Sequence, residues 1–174
     1  MHDPVELEQL LNTRFLGAYK TRLKGGGEEP LYVPPGVKAP EAVIVYRADY
    51  FASALHELAH WCIAGEERRQ LVDYGYWYQA SRSPAEQQAF HVVESRPQAL
   101  EWIFSTACGY RFRPSYDNLT LTEPPLKFTA QILIAVRQWL DKGLPPRAGA
   151  LAGHLADHYG GRHFADLSVY ENKR

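Results

Sequence analysis

The sequence predicts an α+β fold, a single compact domain over residues 1–174 in which helices pack on a small mixed sheet. Two observations support this prediction. Most of the chain places apolar residues at helical spacing, and β-branched residues cluster in one short run, residues 42–46. A chain of 174 residues can bury a core without disulfides. A pattern typical of metal ligands, residues 56–66, falls on the central predicted helix.

The N-terminal region is predicted to supply one helix and the sheet. Residues 3–6 combine an acidic N-cap, a proline at the first helical position and a glutamate, which predicts a helix to about Phe15. Glycine and proline in residues 25–30 and 34–40 predict irregular structure on either side of a short segment, residues 31–33. The β-branched run 42–46 is predicted to be a buried strand, with residues 31–33 as its partner.

The helix that carries the metal-ligand pattern is predicted to begin at Asp49, as its N-cap, and to break at Gly65. Apolar residues recur along it at steps of three and four, which predicts a face directed at the core. These residues are Phe51, Leu55, Leu58 and Cys62. A helix this apolar places its polar ring nitrogens near the interior, where metal binding is one of the few ways to satisfy them.

Three further helices follow. One is predicted to open with a capping box at Ser83 and to end at Gly109, with a kink or split caused by Pro97. The others cover residues 128–140 and 148–159, each followed by glycine.

Composition narrows the classes of partner. The net charge of -1 and the pI near 6.7 give no general attraction to nucleic acid or membranes, so neither is predicted as a direct partner. The two cysteines, Cys62 and Cys108, are predicted to be free buried thiols. The N-terminus resembles no leader and no apolar run reaches the ~18 residues of a membrane span, so a cytoplasmic location is predicted.

The metal site is predicted around two histidines. His56 and His60 are four residues apart, so a helix places both imidazoles on one face, where they can bind one metal ion. The third ligand is predicted, in order of preference, to be Glu66, Glu94 or Glu101; a glutamate from a second helix is typical of zincin-like sites. Two imidazoles and one carboxylate suit Fe(II), whereas the same His-Glu-x-x-His start also opens zinc sites.

Other polar and aromatic residues near this motif are candidate site residues. Glu57 would be the general base of a zinc peptidase, and in an oxygenase it would orient water or substrate. Arg68 and Arg69 are candidates for binding an acidic group. An aromatic run with strand character is predicted to form a pocket wall. It contains Tyr74, Tyr76, Trp77 and Tyr78.

A second histidine pair has the same spacing. His154 and His158 lie four residues apart, and His163 follows them. No acidic residue directly follows His154 and no aromatic run flanks the pair, so a solvated helix face is preferred to a metal site.

With these motifs in hand, the chain resembles the bacterial elongation factor P hydroxylase family. The resemblance rests on three blocks in the family's order. They are His-Glu-Leu-Ala-His-Trp-Cys-Ile-Ala-Gly at 56–65, Arg-Arg-Gln with Asp-Tyr-Gly-Tyr-Trp-Tyr within 68–78, and Val-Glu with Pro-Gln-Ala-Leu-Glu-Trp within 93–102.

The resemblance implies a monooxygenase-type enzyme that uses O2 to hydroxylate a lysine of elongation factor P that bears a β-lysyl group. It implies a site of two histidines and one carboxylate holding Fe(II), and a fold like that of a metal-dependent endoribonuclease with His-x3-His-x5-His, which places Glu66 opposite the third histidine. For a cationic substrate, Glu57, Glu94 and Glu101 become candidate ammonium acceptors. The aromatic run then becomes a candidate for cation–π contacts.

Two alternatives stay open from the sequence. One is a zinc-dependent peptidase of the His-Glu-x-x-His type, with Glu57 as base. The other is a non-enzymatic, translation-associated module in which the metal is structural.

Overall fold

The computed structural model describes residues 2–75, 84–115 and 126–171. The chain forms two compact units, Met1–Gln79 and Ala80–Arg174. The described residues form six α-helices and one three-stranded mixed sheet, which confirms the α+β class. The helices are α1 (Pro4–Arg14), α2 (Phe51–Ile63), α3 (Pro84–Ala107), α4 (Leu126–Lys142), α5 (Pro146–Tyr159) and α6 (Ser168–Glu171), and the strands are β1 (Thr21–Gly27), β2 (Leu31–Val33) and β3 (Ala42–Arg47). One domain over residues 1–174 stays a prediction.

The sheet belongs to the first unit and has the strand order β1-β3-β2. Strand β1 runs parallel to β3, and β2 runs antiparallel to it, which confirms the predicted pairing of residues 31–33 with 42–46. Ile44 lies opposite Leu23 on one side and opposite Tyr32 on the other, and all three side chains are buried. Because α1 packs on β1 and α2 packs on β3, this buried face forms the core of the unit.

The prediction of irregular structure from residue 25 onward was wrong for the first three residues, since β1 continues to Gly27. Side chains of α1 supply the hydrogen bonds that a neighbouring strand would otherwise make. The Leu23 N–H donates to Asn12 Oδ1 and the Leu23 carbonyl accepts from Asn12 Nδ2, both at 2.8 Å, while the Gly25 N–H donates to Glu8 Oε2 at 2.8 Å. Glycine is required at residue 25 because a Cβ there would lie 2.6 Å from the Tyr46 hydroxyl oxygen.

Helix α2 forms as the apolar spacing predicts, with seven buried residues between Phe51 and Cys62. The predicted cap was wrong. Tyr50 occupies the N-cap position and no side chain caps the helix there. Instead, Ser53 Oγ accepts a hydrogen bond from the Arg47 N–H at 3.0 Å. A side chain in the first turn of α2 therefore closes the turn that leads from β3 into the helix.

The second unit is helical. A kink or a split was predicted at Pro97; the split was wrong, because α3 runs unbroken over 24 residues, and the kink stays a prediction. Proline cannot donate a backbone hydrogen bond, and the helix continues through this position without one. In the preceding turn Ser95 Oγ donates to the Val92 carbonyl at 2.8 Å. The helix ends as predicted at Gly109, whose φ of 64° favours glycine.

The C-terminal segment, from α5 onward, packs against the end of α3. Helix α5 ends at Gly160, with φ of 85°, and the following N–H, that of Gly161, donates to the Ala107 carbonyl at 3.1 Å. The four-residue helix α6 was not predicted, because so short an element shows no periodicity. Its Tyr170 is buried, packs edge-on against Trp102 at 5.4 Å between ring centroids, and donates a hydrogen bond to the Phe164 carbonyl.

Candidate metal centre

Helix α2 brings His56 and His60 together on one partly buried face. Their rings are 4.7 Å apart between centroids and inclined by 68°, and the two Nε2 atoms are 3.1 Å apart. Spacing along one helix produces this arrangement, since residues four apart lie one turn above each other. Two ring nitrogens that face each other at this distance can both be satisfied by one cation, which is the chemistry predicted for the pair.

Two of the three predicted candidates for the third ligand lie in α3. Glu94 is 8% exposed and Glu101 is 4% exposed, which is rare for glutamate unless the carboxylate has a partner. The two histidines belong to the first unit, and both buried glutamates belong to the second. The donor set of two imidazole nitrogens and one carboxylate oxygen fits a divalent transition metal.

The other candidates are placed differently. Glu66, the first preference from the sequence, is exposed just after the end of α2. Glu101 is buried on α3, as Glu94 is, so the choice among the three stays a prediction. Glu57 follows His56 on α2 and is half-buried.

The second histidine pair forms no group of three ligands within the described part of the chain. His158 is exposed on α5 and packs edge-on against Tyr159, while His163 lies beyond the helix, also exposed. His154 is half-buried. The preference for a fully solvated face therefore fits His158 better than His154.

The chain after α2 folds back onto the sheet. We call residues 64–75 the strap. Arg69, a predicted substrate contact, directs its guanidinium to the end of α2, where Nη1 donates to the Ala64 carbonyl at 2.7 Å. The Arg69 carbonyl accepts from the Tyr32 hydroxyl at 2.9 Å. Its neighbour Arg68 is exposed.

The far end of the strap is fixed on β2. The Tyr32 N–H donates to Asp73 Oδ1 at 2.8 Å, and the Tyr32 ring stacks on the Tyr74 ring at 4.2 Å between centroids. Asp73, Tyr74 and Gly75 all have positive φ, so a left-handed turn replaces the strand predicted at Tyr74. Tyr74 is 4% exposed and packs within the core of its unit. The remaining members of the predicted pocket wall, Tyr76, Trp77 and Tyr78, lie outside the described residues.

Sequence reasoning missed Tyr32 and Asp73. Both are 37 residues or more from their partners in the chain, and no local periodicity links residues at such separation. Only the left-handed turn had a local signal, the glycine at position 75.

A family model described as Elongation factor P hydroxylase matches residues 10–168. The Elongation factor P lysine hydroxylase of Haemophilus influenzae is 39% identical to the chain over 175 residues, which cover 98% of this chain and 97% of the relative. The chain belongs to the elongation factor P hydroxylase family.

Membership confirms the resemblance stated from the sequence, and it confirms that the chain is an enzyme of the hydroxylase class. Hydroxylation is an oxidation, so membership of this family does not support the peptidase alternative. The matched region contains α2, the strap and Glu94 together. No helix among the described residues is long and apolar enough to cross a membrane.

Proposed function

We propose that this member of the elongation factor P hydroxylase family hydroxylates a lysine of elongation factor P that bears a β-lysyl group, using O2 and a bound Fe(II). The observation that supports it best is the pair His56 and His60, whose Nε2 atoms lie 3.1 Å apart on one helix of a chain that belongs to this family. A cytoplasmic location, where elongation factor P meets the enzyme, is part of the proposal.

His56 and His60 would hold the metal through Nε2, and Glu94 would complete the protein ligands. Burial supports Glu94 over Glu66, because a carboxylate that is 8% exposed needs a cation or hydrogen-bond donors more than an exposed one does. Three protein ligands leave positions open for other groups. When bound, Fe(II) supplies the O2-dependent redox chemistry that hydroxylation of an unactivated carbon requires.

The protein's own contribution is binding and orientation. Glu101, 4% exposed and two turns after Glu94 on α3, is proposed to receive a substrate ammonium group, since a buried carboxylate gains most from a cation. Glu57 is proposed to orient water or substrate from the turn of α2 that carries His56. The aromatic residues Tyr76, Trp77 and Tyr78, together with Arg68, remain proposed substrate contacts.

The test follows an oxygen atom from O2 into the substrate protein. Placing one oxygen atom of O2 in a C–H bond leaves the second to become water, with two electrons and two protons from a reductant. Purified protein is incubated with Fe(II), ascorbate, β-lysylated elongation factor P and ¹⁸O-labelled O2. The expected result is a mass gain of one labelled oxygen atom on the substrate protein.

Controls separate the parts of this proposal. Loss of activity in His60→Ala with retained activity in His158→Ala is expected, because His158 is an exposed histidine on α5. Equal turnover by protein loaded with Zn(II) instead of Fe(II) would contradict the redox role. Cleavage of the substrate protein rather than a mass gain would favour the peptidase.

A further inference from the structure

One residue of the strap, Arg69, contacts both the end of the helix that carries His56 and His60 and a strand of the sheet. Arg69 uses three groups at this junction. Its Nη1 donates to the Ala64 carbonyl at 2.7 Å, its N–H donates to the Gly65 carbonyl at 3.1 Å, and its carbonyl accepts from the Tyr32 hydroxyl at 2.9 Å. Side chain and backbone of one residue therefore tie the end of α2 to strand β2.

These contacts matter because His60 lies in the last turn of α2. The last hydrogen bond of that turn joins the Ala64 N–H to the His60 carbonyl at 2.9 Å. The final carbonyls of a helix have no partner within the helix and its C-terminal end carries partial negative charge, so an arginine there supplies both a donor and a positive charge. Without it, the turn that holds His60 is free to fray.

We propose that Arg69 is a positioning residue that holds the last turn of α2, and with it His60, in the metal-binding arrangement. Tyr32 acts through Arg69, because its hydroxyl fixes the backbone of the strap. This inference rests on the proposed function in treating His60 as a metal ligand. It assigns to Arg69 a role different from the substrate contact predicted from the sequence. Groups that orient metal ligands change metal affinity about 10- to 100-fold when they are removed.

The test compares four variants of the full chain with the wild type. Arg69→Met removes the guanidinium, Arg69→Lys keeps the charge and a single donor, and Tyr32→Phe removes the hydroxyl while keeping the ring stacked on Tyr74. Arg47→Met is the matched control, since Arg47 is an exposed arginine at the end of β3 in the same unit. Amide hydrogen exchange is measured residue by residue on metal-free protein, and Co(II) affinity is measured against a competing chelator.

For Arg69→Met we expect exchange of the Ala64 amide to accelerate about tenfold or more while the strands keep their protection, and Co(II) affinity to fall about 10- to 100-fold. Arg69→Lys and Tyr32→Phe are expected to lie between this variant and the wild type, and Arg47→Met within about twofold of the wild type.

Two results would overturn the inference. The first is wild-type exchange and Co(II) affinity in Arg69→Met with a raised KM for the protein substrate, which would make Arg69 a substrate contact. The second is uniform acceleration across the unit with unchanged Co(II) affinity, which would reduce Arg69 to general stability. Exchange in metal-free protein needs no turnover, so a failure of the proposed hydroxylation is recognised separately by absent oxygen incorporation in the wild type.

Discussion

The backbone of Gly161 lies against the end of α3, with its N–H donating to the Ala107 carbonyl at 3.1 Å. A Cβ on this glycine would lie 2.3 Å from the carbonyl oxygens of both Ala107 and Thr106, closer than side chains ever approach. These acceptors belong to a helix end and cannot rotate away. Residues 160–161 can therefore approach α3 this closely only because residue 161 is a glycine.

Gly161→Ala is expected to lower the free energy of unfolding by about 1–3 kcal/mol, because relieving the overlap moves backbone and breaks the hydrogen bond to Ala107. Urea unfolding monitored by circular dichroism measures the loss. Gly153→Ala is the matched control: it lies within α5, and an added Cβ meets nothing within 4 Å. That substitution should stabilise by about 0.5–1 kcal/mol, and equal losses in both variants would refute the explanation.

Glu94→Gln is expected to weaken Co(II) binding by about 100-fold or more, since the neutral amide removes the charge from a buried ligand group. Glu66→Gln, at an exposed position, is expected to stay within about twofold of the wild type. Chelator competition measures both affinities. The reverse pattern would assign the role of third ligand to Glu66, and a loss confined to Glu101→Gln would assign it to Glu101.

Asn12→Ala is expected to destabilise the first unit by about 1–3 kcal/mol, because it removes the partners of both the N–H and the carbonyl of Leu23. Thr13→Ala, at an exposed position in the same helix, is the control. Thermal unfolding together with exchange of the Leu23 amide provides the measurement. A Leu23 amide that stays protected in Asn12→Ala would show that the side chain is dispensable for this strand.

Cys108 gives the unit containing α3 a predictable response to alkaline pH. Burial raises the pKa of this thiol from 9.0 to about 12. The folded state therefore keeps its proton where the unfolded chain loses it, so this contribution to stability is complete below pH 9 and declines as pH rises toward 12. Unfolding free energies of wild type and Cys108→Ala should converge above pH 9, by up to about 1.4 kcal/mol per pH unit. A constant difference from pH 8 to 11 would contradict the prediction.

Part of this molecule was predictable because its signals are local. Three- and four-residue spacing was enough to find α2 and to place His56 and His60 on one face, and Gly109 was enough to end α3. The glycines of β1 led to a wrong prediction of irregular structure, because the strand is held by hydrogen bonds to Asn12 and Glu8 on another element.

The identity of the third ligand stays a prediction. From the sequence, proximity to the histidines favoured Glu66, whereas the structure adds that Glu94 and Glu101 are buried. Burial depends on packing between elements distant in the chain, and spacing alone carries no information about it. The contact made by Arg69 was unpredictable for the same reason, because only the folded path of the strap shows that its guanidinium contacts the end of α2.

The hydrogen bonds along the outer sides of β1 and β2 have a consequence for recognition. Asn12 and Glu8 occupy the outward backbone groups of Leu23 and Gly25, and Asp73 occupies that of Tyr32. An incoming peptide finds these groups already engaged, so it cannot bind there by extending the sheet as an additional strand. The proposed protein substrate is therefore not expected to add a strand at these residues, and the same contacts hinder edge-to-edge pairing of two folded copies there.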